Sequence, residues 1–151
     1  MMGSTLTNLI YHVVFSTKGR EPVLVSGMRD ELCRYIGGIV RAENGILIEV
    51  GGMADHLHIL MKLRPIHKLS DIMQKIKGSS SKWINEQNRL KLNFRWQDGY
   101  GAFTVSESQV PVVANYIQNQ EKHHQGFSYQ SEFELLLERH NVEFDAKYVW
   151  S

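Results

Sequence analysis

The chain has 151 residues, of which 42% are hydrophobic and 22% are charged, and its net charge is +1. This composition excludes a disordered chain and fits one globular domain spanning residues 1–151. No apolar run reaches the roughly 18 residues of a membrane span, and the N-terminus lacks the pattern of a signal peptide. The single cysteine, Cys33, excludes an internal disulfide and indicates the reducing cytoplasm.

Hydrophobic periodicity predicts a strand, a helix, two strands, a helix, a strand and two further helices. The predicted strands are residues 6–16, 46–50, 56–63 and 102–106. The predicted helices are residues 26–43, a segment from about 68 that Gly78 and three serines interrupt or bend, 108–124, and 131–140. Ser26 and Ser108 are the predicted caps of their helices. The first six elements match a ferredoxin-like βαββαβ layout, an α+β fold with an antiparallel sheet.

The third predicted strand has two unlike faces. One face is wholly apolar and must be the core side; its members are Leu57, Ile59, Met61 and Leu63. The opposite face carries His56, His58, Leu60 and Lys62. The histidines are therefore predicted to lie off the core side, while Leu60 indicates that something covers part of their face.

His56 and His58 are two residues apart, so both imidazoles project from one side of the strand and can hold one metal ion. Imidazole suits zinc, copper, iron, nickel and manganese, and oxygen ligands shift the preference toward magnesium or manganese. His12 is predicted to support the pair from the same sheet face. Asp55 either binds the metal or ends a turn. Since His-x-His pairs also occur by chance, the spacing alone leaves a structural role open.

Tyr116 and Gln120 are four residues apart and share a face of the predicted helix 108–124. A phenol with its ordinary pKa near 10 is a poor nucleophile, but a metal-polarised phosphate makes its attack feasible. Taken alone, Tyr116 is an ordinary core or edge aromatic and Gln120 an ordinary surface residue. His123 and His124, one turn further, are taken as surface residues by default.

Residues 62–95 contain nine Lys or Arg and only two acids, whereas acids dominate residues 131–145. Such a basic band, with aromatic side chains nearby, is typical of a single-stranded nucleic-acid site, where bases stack on rings and cations follow the phosphates. A solvated helix and loop would explain the charge equally well. The candidate DNA-binding residues are Lys75, Lys77, Lys82, Arg95 and Trp96. Trp83 is interpreted as a core residue.

Together these residues resemble the single-tyrosine HUH transposases of small bacterial insertion sequences, the TnpA-type proteins. The matching segments cover nearly the whole chain. They are Tyr11-His12 with Val14-Phe15, residues 51–60 around the His pair, residues 94–100, residues 116–124, and the tail Phe144-Asp145 with Tyr148-Val149-Trp150.

The resemblance implies that His56, His58 and Gln120 bind a divalent metal, Mg²⁺ or Mn²⁺. It implies that Tyr116 attacks the scissile phosphate of single-stranded DNA, leaving a 5′-phosphotyrosine and a free 3′-hydroxyl. The substrates would be element ends that fold into hairpins. The protein would be a homodimer, with the tyrosine helix acting within its own subunit or on the partner.

Three alternatives stay open at this point. A non-enzymatic nucleic-acid binder would bind DNA equally well with and without metal. A metal-dependent phosphoester hydrolase would use water and would not need Tyr116. A domesticated relative would process chromosomal hairpin repeats rather than mobilise an element.

Overall fold

The computed structural model describes residues 3–124, 126–145 and 149. Four antiparallel strands form one sheet in the order β2-β3-β1-β4. The strands are β1 (Leu9–Ser16), β2 (Ile46–Met53), β3 (His56–Leu63) and β4 (Gly101–Thr104). The helices are α1 (Ser26–Ala42), α2 (Leu69–Glu86), α3 (Val110–Gln118), α4 (Gln120–His123) and α5 (Tyr129–Arg139). The βαββαβ order and the α+β class predicted from the sequence are confirmed.

The main core lies between one face of the sheet and the helices α1 and α2. The apolar face predicted for β3 points into this core, with Leu57, Ile59 and Met61 fully buried. Burying each such side chain stabilises the fold by about 1.5–3 kcal/mol. The predicted core side of the third strand is therefore confirmed.

The second face of the sheet is covered by α3 and α5. Ile117 of α3 packs on Leu60, and Phe133 and Leu137 of α5 belong to a cluster with Val14 of β1. This second layer explains the presence of Leu60 beside the histidines. The layer also buries that face. Because β3 is a central strand, its two edges are covered as well, by β2 and β1.

Two glycines allow the second layer to approach the sheet. A Cβ atom at Gly51 of β2 would lie 3.1 Å from the carbonyl oxygen of Ile117. A Cβ atom at Gly101 of β4 would lie within van der Waals radii of the Phe133 ring. Helices α3 and α5 therefore pack closely against the sheet at glycine positions of β2 and β4, where no side chain intervenes.

Several predicted boundaries are corrected. Helix α2 runs unbroken through Gly78 and the serines after it. The helix predicted over residues 108–124 is interrupted at Asn119, which separates α3 from α4. Ser26 is the first helical residue rather than the cap, and Ser108 lies in a short 3-10 turn before α3. Helix α5 starts earlier than predicted, and the Ser128 side chain caps it by accepting from the Ser131 N–H.

Among the described residues, no helix is long and apolar enough to cross a membrane. Of the C-terminal motif, Tyr148 and Trp150 lie outside the described residues.

Candidate metal and nucleophile site

The predicted histidine pair lies on β3 and projects into the layer between the sheet and α3–α5. His56 pairs with Ser16 of β1, and His58 pairs with Val14. Neither His56 nor His58 has measurable solvent exposure. Both are thus on the face opposite the main core, as predicted, but they are buried.

Each imidazole uses its second nitrogen for a hydrogen bond. The His56 Nδ1 lies 2.7 Å from a carboxylate oxygen of Asp55, and the His58 Nδ1 lies 2.8 Å from the Nε2 of His12. Burial lowers the pKa of His12 to about 3 and also lowers the pKa of His58, so both rings are neutral near pH 7. These contacts fix the ring orientations and leave both Nε2 atoms directed at the α4–α5 side.

Gln120 is brought to the pair by α4. Its Oε1 lies 3.0 Å from the His56 Nε2, and only 1% of the residue is exposed. The structure thus brings Gln120, four residues after Tyr116, next to the predicted histidine pair, and its role as a metal ligand stays a prediction. The break at Asn119 means that Tyr116 and Gln120 come from two consecutive helices rather than from one.

Glu132 of α5 occupies the centre of the cluster. Its Oε1 lies 3.1 Å from the Nε2 of His56 and 3.0 Å from the Nε2 of His58. Its Oε2 accepts a hydrogen bond from the Gln120 amide at 3.1 Å. Burial opposes its charge, but hydrogen bonds from the surrounding histidines outweigh this effect and hold the pKa of Glu132 well below its usual range.

The acidic composition of residues 131–145 predicts that the acids of the last helix face solvent, and this prediction is wrong for Glu132. Only 2% of this residue is exposed. The spacing contained the signal, because Glu132 lies three residues after Tyr129 and four before Leu136, on the apolar side of the helix. A carboxylate at a core-facing position of a helix indicates a buried partner.

The Tyr116 hydroxyl donates a hydrogen bond to the Oε2 of Glu132. Its ring meets the His58 ring edge-on, with the centroids 5.6 Å apart. Burial and the negative charge of Glu132 raise the pKa of the phenol, so Tyr116 is neutral at pH 7. One carboxylate therefore joins the tyrosine to both histidines, and all of these residues belong to a single chain.

His124 was assigned to the surface, and this is corrected. Its Nε2 lies 3.1 Å from the Gln120 Oε1 and 3.2 Å from the Glu132 Oε2. The ring also packs edge-on against His56, at 4.8 Å between centroids. His124 therefore belongs to the cluster, while the side chain of His123 lies outside those that the structure describes.

The nitrogens and oxygens of the cluster suit a divalent cation. One ligand atom each from His56, His58 and Glu132 lies within 4.8 Å of the other two. Two ligands at right angles on bonds of about 2.1 Å are ~3.0 Å apart, which is close to the separation of Glu132 from each histidine. Two imidazoles and a carboxylate form a ligand set that binds divalent metals and leaves positions open for substrate. Asp55 and His12 hydrogen-bond the outer nitrogens of the two rings, as polar groups commonly do behind histidines that bind a metal.

The predicted DNA-binding lysines lie away from this cluster, on or beside α2 and hence across the sheet. Lys75 is paired with Glu43 at 2.6 Å, and Lys82 lies 3.8 Å from Glu86. Lys77 donates to the carbonyl oxygens of Gln97 and Gly99, and burial lowers its pKa. Arg95 is exposed and lines a cavity of about 490 Å³ on the loop before β4.

Trp96 does not present a ring face to solvent. Only 5% of it is exposed, its ring packs edge-on against Phe15 and Phe94, and its indole N–H donates to the Ser80 hydroxyl at 2.9 Å. The expectation that Trp96 stacks on bases is therefore corrected: aromatic residues next to basic ones in the sequence can still point into the core.

Comparison with known proteins places the chain in a family. Residues 5–120 match the family described as "Transposase IS200 like". The transposase for insertion sequence element IS200 of Salmonella typhimurium is 31% identical over 128 residues, which are 79% of this chain and 81% of that protein. The ISDra2 transposase TnpA of Deinococcus radiodurans is 30% identical over 118 residues, 74% of this chain and 84% of that protein.

Solved structures agree with this result. A crystal structure of a Deinococcus radiodurans protein assigned as a transposase has a TM-score of 0.66 and 28% identity, covering 80% of this chain and 96% of that one. The structure of a REP-associated tyrosine transposase bound to a REP hairpin has a TM-score of 0.61 and covers 83% of this chain and 75% of that one. At 15% identity, the second similarity supports the fold alone.

Proposed function

Because the chain belongs to the family of IS200-like transposases, we propose that it cleaves and rejoins single-stranded DNA through a covalent bond to Tyr116. The observation that carries the proposal is the position of Glu132. This carboxylate accepts the Tyr116 hydroxyl on one oxygen and contacts both histidines with the other. A nucleophile and a cation site that share one carboxylate are suited to phosphoryl transfer.

His56, His58 and Gln120 are the proposed ligands of a divalent metal, Mg²⁺ or Mn²⁺. When bound, the ion would polarise the scissile phosphate and offset the charge of Glu132 that raises the pKa of Tyr116. His12 and Asp55 hold the ligand rings in place through their outer nitrogens. Glu132 holds the phenol oxygen at the edge of the cluster.

In the cleavage step, the Tyr116 oxygen forms a bond to the scissile phosphorus while the bond from phosphorus to the 3′ oxygen breaks. The phenol loses its proton, and the departing 3′ oxygen gains one. A 5′-phosphotyrosine and a 3′-hydroxyl result. Attack by a 3′-hydroxyl on this intermediate restores a phosphodiester bond and the phenol, so rejoining needs no ATP.

The proposed substrates are insertion-sequence ends that fold into hairpins. The nucleophile and the side chains of the proposed metal site lie together in one chain, so cleavage in this arrangement needs no residue from a second subunit. A homodimer stays a prediction, which light scattering of the purified protein tests.

The proposal is tested by incubating the full chain with Mn²⁺ and single-stranded DNA from the ends of its element, followed by a denaturing gel. The native protein is expected to form a covalent adduct. Tyr116→Phe is expected to form none, and His56→Ala is expected to bind the hairpin but not cleave it.

Other outcomes distinguish the alternatives. Turnover that persists in Tyr116→Phe would indicate a water-using hydrolase and overturn the proposal. Binding without cleavage by the native protein, equal with and without metal, would indicate a non-enzymatic binder. If His56→Ala lost binding together with cleavage, its effect would reflect a folding defect.

A further inference from the structure

A pocket of about 330 Å³ opens between α3 and α5, beside the nucleophile. Tyr116 and Glu132 are part of its wall. Most of the remaining lining is apolar and comes from Val112, Val113, Phe127, Leu135 and Leu136. The volume lies within the range of about 300–1,000 Å³ that is usual for small-molecule sites. The reacting phenol is therefore reached from a pocket with apolar walls.

Arg139 lies at the same pocket, in the last turn of α5. It follows Glu132 by seven residues, which is about two helical turns, so the two side chains leave α5 on one side. Arg139 is exposed. Arg139 and Tyr116 line the same pocket, and the charge of Arg139 opposes the rise in the pKa of Tyr116 that burial and Glu132 cause.

An apolar wall, a guanidinium group and a reacting phenol together match the chemistry of one nucleotide. Guanidinium binds phosphate oxygens through two parallel N–H groups. Apolar side chains pack against deoxyribose and an unstacked base. A second protein chain seated here would cover the phenol and Glu132, which a DNA-cleaving site must leave accessible.

We propose that the α3–α5 pocket holds the nucleotide next to the scissile phosphate of single-stranded DNA, with Arg139 binding a phosphate of that nucleotide. The inference rests on the proposed function and adds a substrate subsite to it. Neither Arg139 nor any other α5 residue lies in the part of the chain that matches the family, residues 5–120. Arg139 is thus a proposed substrate-binding residue that lies outside the segment matched by the family.

The first test compares native protein, Arg139→Ala and Arg139→Lys in the full chain. Affinity for a short single-stranded oligonucleotide is measured in Mn²⁺ over a range of salt concentrations. Loss of one phosphate contact is expected to weaken binding about tenfold and to reduce the slope of log K against log salt by about 0.7. Arg139→Lys is expected to restore the slope but not the full affinity, since it keeps the charge and loses the paired N–H groups.

The matched control is Arg41→Ala, an exposed arginine in the last turn of α1, across the sheet from the pocket. Its affinity and slope are expected to equal those of the native protein. Val112→Trp probes the apolar wall, because Val112 is 61% exposed and its replacement fills the pocket without entering the core. This variant is expected to weaken DNA binding and leave Mn²⁺ affinity unchanged.

Unchanged affinity and slope in Arg139→Ala would overturn the inference, and adduct formation by the same variant would show that the proposed function survives. The native protein could form no adduct while Arg139→Ala still reduced the slope of log K against log salt. The pocket would then bind DNA, and only the proposed cleavage function would be contradicted. A native dimer that Val112→Trp dissociates, with DNA affinity intact, would assign the pocket to a second copy and overturn the inference.

Discussion

Among single residues, Glu132 has the largest effect on the electrostatics of the site. It is an ionised carboxylate with almost no exposure, and His56, His58 and His124 all direct a ring nitrogen at it. A buried charge without partners would cost several kcal/mol, so the histidines and Glu132 stabilise one another. A cation bound at this point would replace the protons that now connect them.

Replacing Glu132 with glutamine is expected to weaken Mn²⁺ binding by at least about tenfold, because the negative charge beside the proposed ligands is lost while the shape of the side chain is kept. Isothermal titration calorimetry with Mn²⁺ measures this directly. Glu138→Gln, an exposed position on the same helix, is the control and is expected to bind like the native protein. An affinity that is unchanged or higher in Glu132→Gln would mean that the carboxylate competes with the metal for the histidines instead of stabilising the bound ion.

Metal binding is also expected to release a proton from His56. Burial disfavours its charge, but Asp55 and Glu132 raise the pKa of the ring to about 9, so the ring is protonated at pH 7 without metal. A ligand nitrogen must be neutral. Mn²⁺ affinity should therefore rise about tenfold per pH unit until pH 9 and then level off.

This linkage is measured by calorimetry at pH 7 in buffers with different ionisation enthalpies. About one proton per bound ion is expected. A binding enthalpy that does not depend on the buffer, together with an affinity that is flat between pH 7 and pH 9, would contradict it.

At the scale of elements, the position of α5 determines whether the site is complete. This helix carries Glu132. It lies against β4 at Gly101, where the absence of a side chain allows the Phe133 ring to pack close to the strand. A methyl group at Gly101 would meet the ring too closely, so either the ring or the whole helix must shift.

Gly101→Ala is therefore expected to destabilise the protein by about 1–3 kcal/mol and to weaken Mn²⁺ binding. Gly78→Ala is the control, because Gly78 is exposed within α2 and a Cβ there meets open space. It is expected to stabilise the fold by about 0.5–1 kcal/mol. Thermal and denaturant unfolding measure both effects; equal stabilities of the two variants would contradict the packing argument.

The sequence predicted elements well where the periodicity was strict. β3 was predicted with the boundaries that the structure shows, because its core face is wholly apolar and Leu60 alone interrupts the polar residues of its opposite face. The break at Asn119 and the role of Glu132 were missed, since both depend on how α3–α5 fold back over the sheet. Tertiary packing of this kind leaves only a weak trace in local spacing.

At the scale of the whole molecule, the sheet separates two layers with different chemistry. The histidines, Tyr116 and Glu132 lie on one side, while the basic residues on and beside α2 lie on the other. Lys82 is exposed and lies 3.8 Å from Glu86, and Arg95 is exposed, so these two are the proposed contacts to DNA away from the cleaved bond.

The double variant Lys82→Ala, Arg95→Ala is expected to weaken hairpin binding in a salt-dependent manner, with the salt slope lower by about 1.4 to 1.8 for two phosphate contacts. The rate of adduct formation at saturating DNA is expected to stay the same, because neither residue contacts the cluster. Fluorescence anisotropy and quenched-flow gels measure the two quantities. A lower maximal rate with unchanged binding would contradict this division of roles.

In the proposed reaction, Tyr116 itself becomes joined to DNA. The most direct measurement is mass spectrometry of the native protein after reaction with Mn²⁺ and a single-stranded element end, followed by nuclease and protease digestion. We expect a nucleotide remnant joined through its 5′ phosphate to the peptide that contains Tyr116. A remnant on any other residue, or cleaved DNA with no modified peptide, would contradict it.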